Sequence, residues 1–144
     1  MTNPSKYFQV QELVPPAIFN IWGERSLQFV DERLIILLDF TREFFNKPLI
    51  INNWHLKGSY NESCFRMPDT AVGGKLSQHK FGRAADIKIP GLTSRQIYDE
   101  ILNHEKIFMA AGLTTMENID ATPTWVHIDI RYQGEAEKII IVNP

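Results

Sequence analysis

The fold is read from Ser77-Gln78-His79-Lys80-Phe81-Gly82-Arg83-Ala84-Ala85-Asp86, taken together with Trp125-Val126-His127-Ile128-Asp129 further along. His79 stands at the exit of a loop. Asp86 belongs to a strand, Ala84 to Ile89, that ends at Pro90-Gly91. Gly82 permits the turn between them, and the small Ala84 and Ala85 permit close strand packing. In Trp125 to Arg131 the pleat sends Trp125, His127 and Asp129 to one face and Val126, Ile128 and Ile130 to the other. One side can then pack while the other meets a cleft. Two neutral imidazoles and a carboxylate are the three protein ligands that a catalytic zinc takes, with the fourth position left to water. Spacing alone keeps other roles open: a hydrogen-bonded or surface histidine at His79 and His127, a turn or strand-edge carboxylate at Asp86, and a partner for a nearby Arg at Asp129.

Outward from this core, the segment to about Ser26 mixes Phe8, Leu13, Val14, Ile18, Phe19, Ile21 and Trp22 around Pro15-Pro16, which predicts a short helix or two wrapped on the core. Asp31 to Phe45 predicts a longer helix. Leu34, Ile35, Leu37, Leu38, Phe44 and Phe45 recur at helical spacing, Asp31 and Glu32 sit at the positive end, and Pro48 follows the other. The short apolar run Leu49 to Trp54 reads as a strand. Gly58 to Gln78, rich in Gly, Ser, Asn, Pro and Asp, is too long for a plain connection and reads as a site-forming loop. Thr93 and Gln96 form a capping box before a second helix that carries Ile97, Ile101, Leu102, Ile107 and Phe108 and stops at Gly112. Lys138 to Val142 is a last branched run, which with Trp125 to Arg131 closes the sheet. Helices and strands grouped in this way predict an α+β fold, a small antiparallel sheet packed with helices, in one domain over residues 1–144.

Composition agrees with one ordinary domain. The chain has 144 residues, 44% hydrophobic and 22% charged, which excludes disordered and low-complexity classes. Fifteen Lys plus Arg against 17 Asp plus Glu give a net charge of -2 without a basic run, so nucleic acid is not an expected partner. A lone cysteine, Cys64, allows neither an internal disulfide nor a Cys-rich metal site, and any metal must be held by His and carboxylate. No secretory signal and no membrane-spanning stretch is read, so the chain is expected to be soluble and cytoplasmic as synthesised, with no membrane partner.

The Ser-x-His-x-x-Gly-x-Ala-x-Asp segment followed by Trp-Val-His-x-Asp resembles the zinc D-Ala-D-Ala carboxypeptidases and L-alanyl-D-glutamate endopeptidases of the M15 type, which share the Hedgehog signalling-domain fold. The likeness extends over most of the chain, through the upstream helix, Asn52-Asn53-Trp54 and Arg66. It implies zinc as cofactor, held by His79, Asp86 and His127. It also implies Arg66 as a cation near the scissile carbonyl or a substrate carboxylate, and Ser77 as a support for the site. Asp129 and Ser77 are expected to orient a ligand imidazole or a substrate group. Many members carry the general base three residues before the last histidine, where this chain has Thr124, which cannot take a proton from water. Glu117 is the preferred substitute, on a strand leading back to His127, while Asp120 is expected in the turn between them. His55 and Trp125 read either as cleft-lining or as simply packed residues, and His104 and Cys64 read as a solvated helix residue and an inert thiol.

The resemblance implies a zinc peptidase acting on peptidoglycan stem peptides, in cell-wall lysis or trimming. A chain without an export signal fits a bacteriophage endolysin, a cargo carried by another route, or a cytoplasmic trimming enzyme. The alternative is a catalytically inactive module of the same fold that keeps the metal, for example a virion component contacting other virion proteins.

Overall fold

The computed structural model describes residues 3–144, and these form an α+β fold with four α-helices and one four-stranded sheet. The helices are α1 (Pro16–Trp22), α2 (Glu32–Phe45), α3 (Ser94–Asn103) and α4 (Glu105–Ala110). The strands are β1 (Ala84–Ile87), β2 (Thr115–Glu117), β3 (Val126–Asp129) and β4 (Ile140–Val142), in spatial order β1-β3-β2-β4. Among the described residues no helix is long and apolar enough to cross a membrane.

α2 begins where expected because the Asp31 carboxylate accepts the Arg33 N–H, and it ends at Asn46 in a left-handed conformation. Its Leu34, Ile35, Leu37 and Leu38 are buried in the core. The sheet contributes Ala85, Ile87, Met116, Val126 and Ile128 to the same core. Its other face carries polar groups. Register fixes which ones: Asp86 lies opposite His127, and the β2–β3 pairing of Thr115 with Asp129 and Met116 with Ile128 brings Glu117 opposite His127 from the other side. One cross-strand row therefore reads carboxylate, imidazole, carboxylate.

Three expectations change. The sheet is mixed rather than antiparallel, because both edges of β3 are taken by β1 and β2, and β4 pairs in parallel with the remaining edge of β2. Leu49 to Trp54 is not a strand; it makes a single bridge, Ile50 to Lys88. Its groups are satisfied elsewhere: the Asn52 N–H donates to the Glu12 carbonyl at 3.1 Å, and the Asn52 side-chain oxygen accepts the Ser63 N–H at 2.9 Å. The helix expected from Thr93 to Gly112 is two helices broken at His104. There the backbone N–H turns to Ile101, while the imidazole lies 3.0 Å from the Glu100 carbonyl that a continuous helix would have used.

The motif turn is tied into the core at Gly82. Its φ is +66°, a Cβ there would overlap the Phe29 carbonyl oxygen, and its own carbonyl accepts the Asp31 N–H at the start of α2. Gly82→Ala should therefore destabilise the fold by upwards of about 2 kcal/mol, combining left-handed strain with a backbone clash. Urea unfolding of the variant against the parent checks this, and equal midpoints would remove the turn from the framework.

Candidate metal centre

β1 and β3 bring Asp86 and His127 together, and the 3-10 turn Gln78–Phe81 delivers His79 from outside the sheet. All three are buried, with 2%, 8% and 3% exposure for His79, Asp86 and His127. One Asp86 oxygen lies 3.3 Å from His79 Nε2 and 3.0 Å from His127 Nδ1. One donor atom from each of the three lies within 4.8 Å of the others.

The outer sides of the rings decide their tautomers. His79 Nδ1 is 2.8 Å from the Cys64 carbonyl, which only accepts, so Nδ1 carries hydrogen and Nε2 turns its lone pair inward. His127 Nε2 is 2.9 Å from the Asp129 carboxylate, so Nε2 donates and Nδ1 faces inward. Asp129 is fully buried and also takes the Arg131 guanidinium, 2.9 Å from its Nε. Two imidazole nitrogens and a carboxylate oxygen thus converge, with their outer hydrogen bonds already made. This donor set fits a cation.

Electrostatics point the same way. Burial would raise the Asp86 pKa, but its contacts with the His79 and His127 imidazoles hold it well below the usual carboxylate range. Burial opposes protonation of His127, yet its bonds to Asp129 and Asp86 and the charge of Glu117 raise its pKa to about 9. Protons at this site compensate the negative charge that a metal would otherwise balance.

Around the donors a cleft of about 430 Å³ is lined by Arg66, Ser77, Glu117 and Trp125 among others. Glu117 Oε1 stands 3.7 Å from His127 Nδ1. Arg66 donates from Nη2 to the second Asp86 oxygen at 3.2 Å and from Nε to the Glu62 carbonyl at 2.7 Å. The close approach of Arg66 requires Gly73, where φ is +77° and a Cβ would come within 2.8 Å of the guanidinium. Ser77 lines the cleft, and among the described residues its hydroxyl bonds to none of the three converging residues.

Asp120 is outside the site; its exposed carboxylate pairs with Arg95 at 2.6 Å. Thr124 borders a neighbouring cavity rather than this cleft. His55, in the 3-10 turn Trp54–Leu56, and His104, between α3 and α4, lie outside the cleft lining. The Cys64 thiol is buried, and burial pushes its pKa up to about 12, which leaves it inert. Its carbonyl, however, orients His79. No side-chain pattern announces a backbone carbonyl, whereas Arg131 was legible as the i+2 neighbour of Asp129 on the polar face.

Compared with models of known families, with curated proteins and with solved structures, the chain matches none.

Two outcomes follow from this geometry. A bound metal would have to displace the proton on His127 Nδ1, whose pKa the carboxylates around it raise to about 9. Affinity should therefore rise about tenfold per pH unit from 7 toward 9, with one proton released per ion, and level off above. Calorimetry in buffers of different ionisation enthalpy measures that proton, and a flat affinity across this range would mean a neutral imidazole. Asp129→Asn should weaken metal binding by about 10- to 100-fold. Chelator competition reads that loss, and parental affinity would detach Asp129 from the site.

Proposed function

We propose that the protein is a zinc peptidase of the D-Ala-D-Ala carboxypeptidase or L-alanyl-D-glutamate endopeptidase type, with a Hedgehog-like fold, hydrolysing amide bonds in peptidoglycan stem peptides. The observation that carries this reading is the Glu117 carboxylate, 3.7 Å from an inward-facing imidazole nitrogen of the His79, Asp86 and His127 donor set. A metal centre that only stabilises a fold has its ligands closed around it; here an acid and an open cleft adjoin them.

Zinc held by the three donors would polarise a scissile carbonyl and lower the pKa of its water toward about 7. The chain's own groups do the remaining work. Glu117 accepts a proton from the attacking water as the C–O bond forms, and returns it to the leaving nitrogen as the C–N bond breaks. Its place opposite His127 on the adjacent strand holds that carboxylate beside the reaction centre, in the role that Thr124 cannot fill. Arg66, held at the cleft wall by Asp86 and the Glu62 carbonyl, offers positive charge to the oxygen on which negative charge develops. The cleft accommodates a short peptide segment. A wall substrate requires delivery across the membrane, as for a phage lysis protein or an exported cargo.

Digestion of intact peptidoglycan and defined stem peptides by the zinc-loaded protein, with products identified by mass, tests the reading. Glu117→Gln should keep its zinc and fold and lose about 10²- to 10⁴-fold in kcat, while Asp120→Asn stays close to the parent. An inactive parent with full zinc would favour the alternative of a non-catalytic metal-binding module such as a virion component. Loss in Asp120→Asn alone would move the base to Asp120.

A further inference from the structure

A second cavity, of about 340 Å³, adjoins the catalytic cleft and shares Arg66, Val72, Asp86 and Trp125 with it. Its remaining wall includes Tyr60, Ser63, Thr124 and Lys88. Lys88 follows β1 two residues after Asp86, and the extended chain there puts both on one face. The backbone of Lys88 is fixed on both sides of the peptide unit by reciprocal hydrogen bonds with Ile50, at 2.8 and 3.0 Å. Its ammonium sits 4.0 Å from the centre of the Tyr60 ring, so the side chain is held rather than free to sweep through solvent.

Lys88 is half-buried and makes no ion pair among the described residues. The two acids nearest in the cavity wall are already engaged. Asp86 is bound by Arg66 and the imidazoles, and Glu62 accepts the Thr70 hydroxyl at 2.6 Å. A cation fixed by backbone and ring, in a cavity whose two acids, Glu62 and Asp86, are held by other partners, is arranged to receive an anion from outside.

We propose that Lys88, seated on Tyr60, forms a subsite for a carboxylate of the substrate peptide, so that the chain selects acidic peptides over their amidated counterparts. The proposal rests on the peptidase reading above and names the substrate class of the same site. A peptide spanning both cavities sets its free carboxylate at Lys88 while the scissile amide lies by Glu117.

The test uses zinc-loaded protein carrying Glu117→Gln, to prevent turnover. Two peptides are titrated calorimetrically, L-alanyl-γ-D-glutamyl-L-lysine and the same peptide with the glutamyl α-carboxylate amidated. The acidic peptide should bind about tenfold more tightly, in the range of one charge-assisted hydrogen bond. Adding Lys88→Met should abolish that ratio while zinc content and melting temperature stay unchanged, and Lys88→Arg should retain it. Equal binding of the two peptides, no binding of either, or a ratio that survives Lys88→Met overturns the subsite. Hydrolysis of the same peptides by the parent separates the two claims. Preference without cleavage of these peptides or of a stem pentapeptide ending in D-alanyl-D-alanine would defeat the peptidase and leave the subsite, and cleavage without preference would do the reverse.

Discussion

A charged carboxylate in a nearly dry interior governs this molecule. Ionised Asp86 would cost several kcal/mol if left alone. Its two oxygens are instead divided between Arg66 on one side and the imidazoles of His79 and His127 on the other. Those partners come from the long loop, the motif turn and the central strand, so folding must bring separate parts of the chain to one point. Removing any of them leaves charge without compensation. Site assembly and fold assembly are in this sense the same event.

The sheet makes that arrangement economical. Its inner face is closed by apolar side chains in a core shared with α2 and α3, and the pleat then dedicates the other face to Asp86, His127, Asp129 and Glu117. The outer hydrogen bonds of the rings, to the Cys64 carbonyl and to Asp129 backed by Arg131, hold the inward nitrogens in place before any ligand arrives. Two glycines permit the close approaches: Gly82 lets the motif turn against Phe29, and Gly73 leaves room for the Arg66 guanidinium.

What could be read in the sequence was whatever depends on local periodicity. α2 declared itself by its apolar spacing and the acids Asp31 and Glu32 at its positive end, and the shared face of His127 and Asp129 by strand alternation. The acid on the returning strand was legible too: Glu117 lies beside His127, whereas Asp120 is drawn to Arg95. Features set by competition between distant segments were not legible. β4 pairs with β2 because β3 has no free edge, Leu49 to Trp54 is diverted by the Asn52 carboxamide, and His104 breaks a helix by binding the Glu100 carbonyl. The Cys64 carbonyl and the seating of Lys88 on Tyr60 belong to the same class, because no local pattern encodes a contact between segments so far apart in the chain.

Every role given to Glu117, Arg66 and Lys88 requires that the three inward-facing donors form one metal site. Diffraction from crystals of the zinc-soaked protein, recorded on both sides of the zinc absorption edge, tests this most directly. The prediction is one strong anomalous peak per chain, about 2.0–2.2 Å from His79 Nε2, His127 Nδ1 and an Asp86 oxygen. A structure with no peak between these atoms, or with zinc bound only elsewhere, would contradict it.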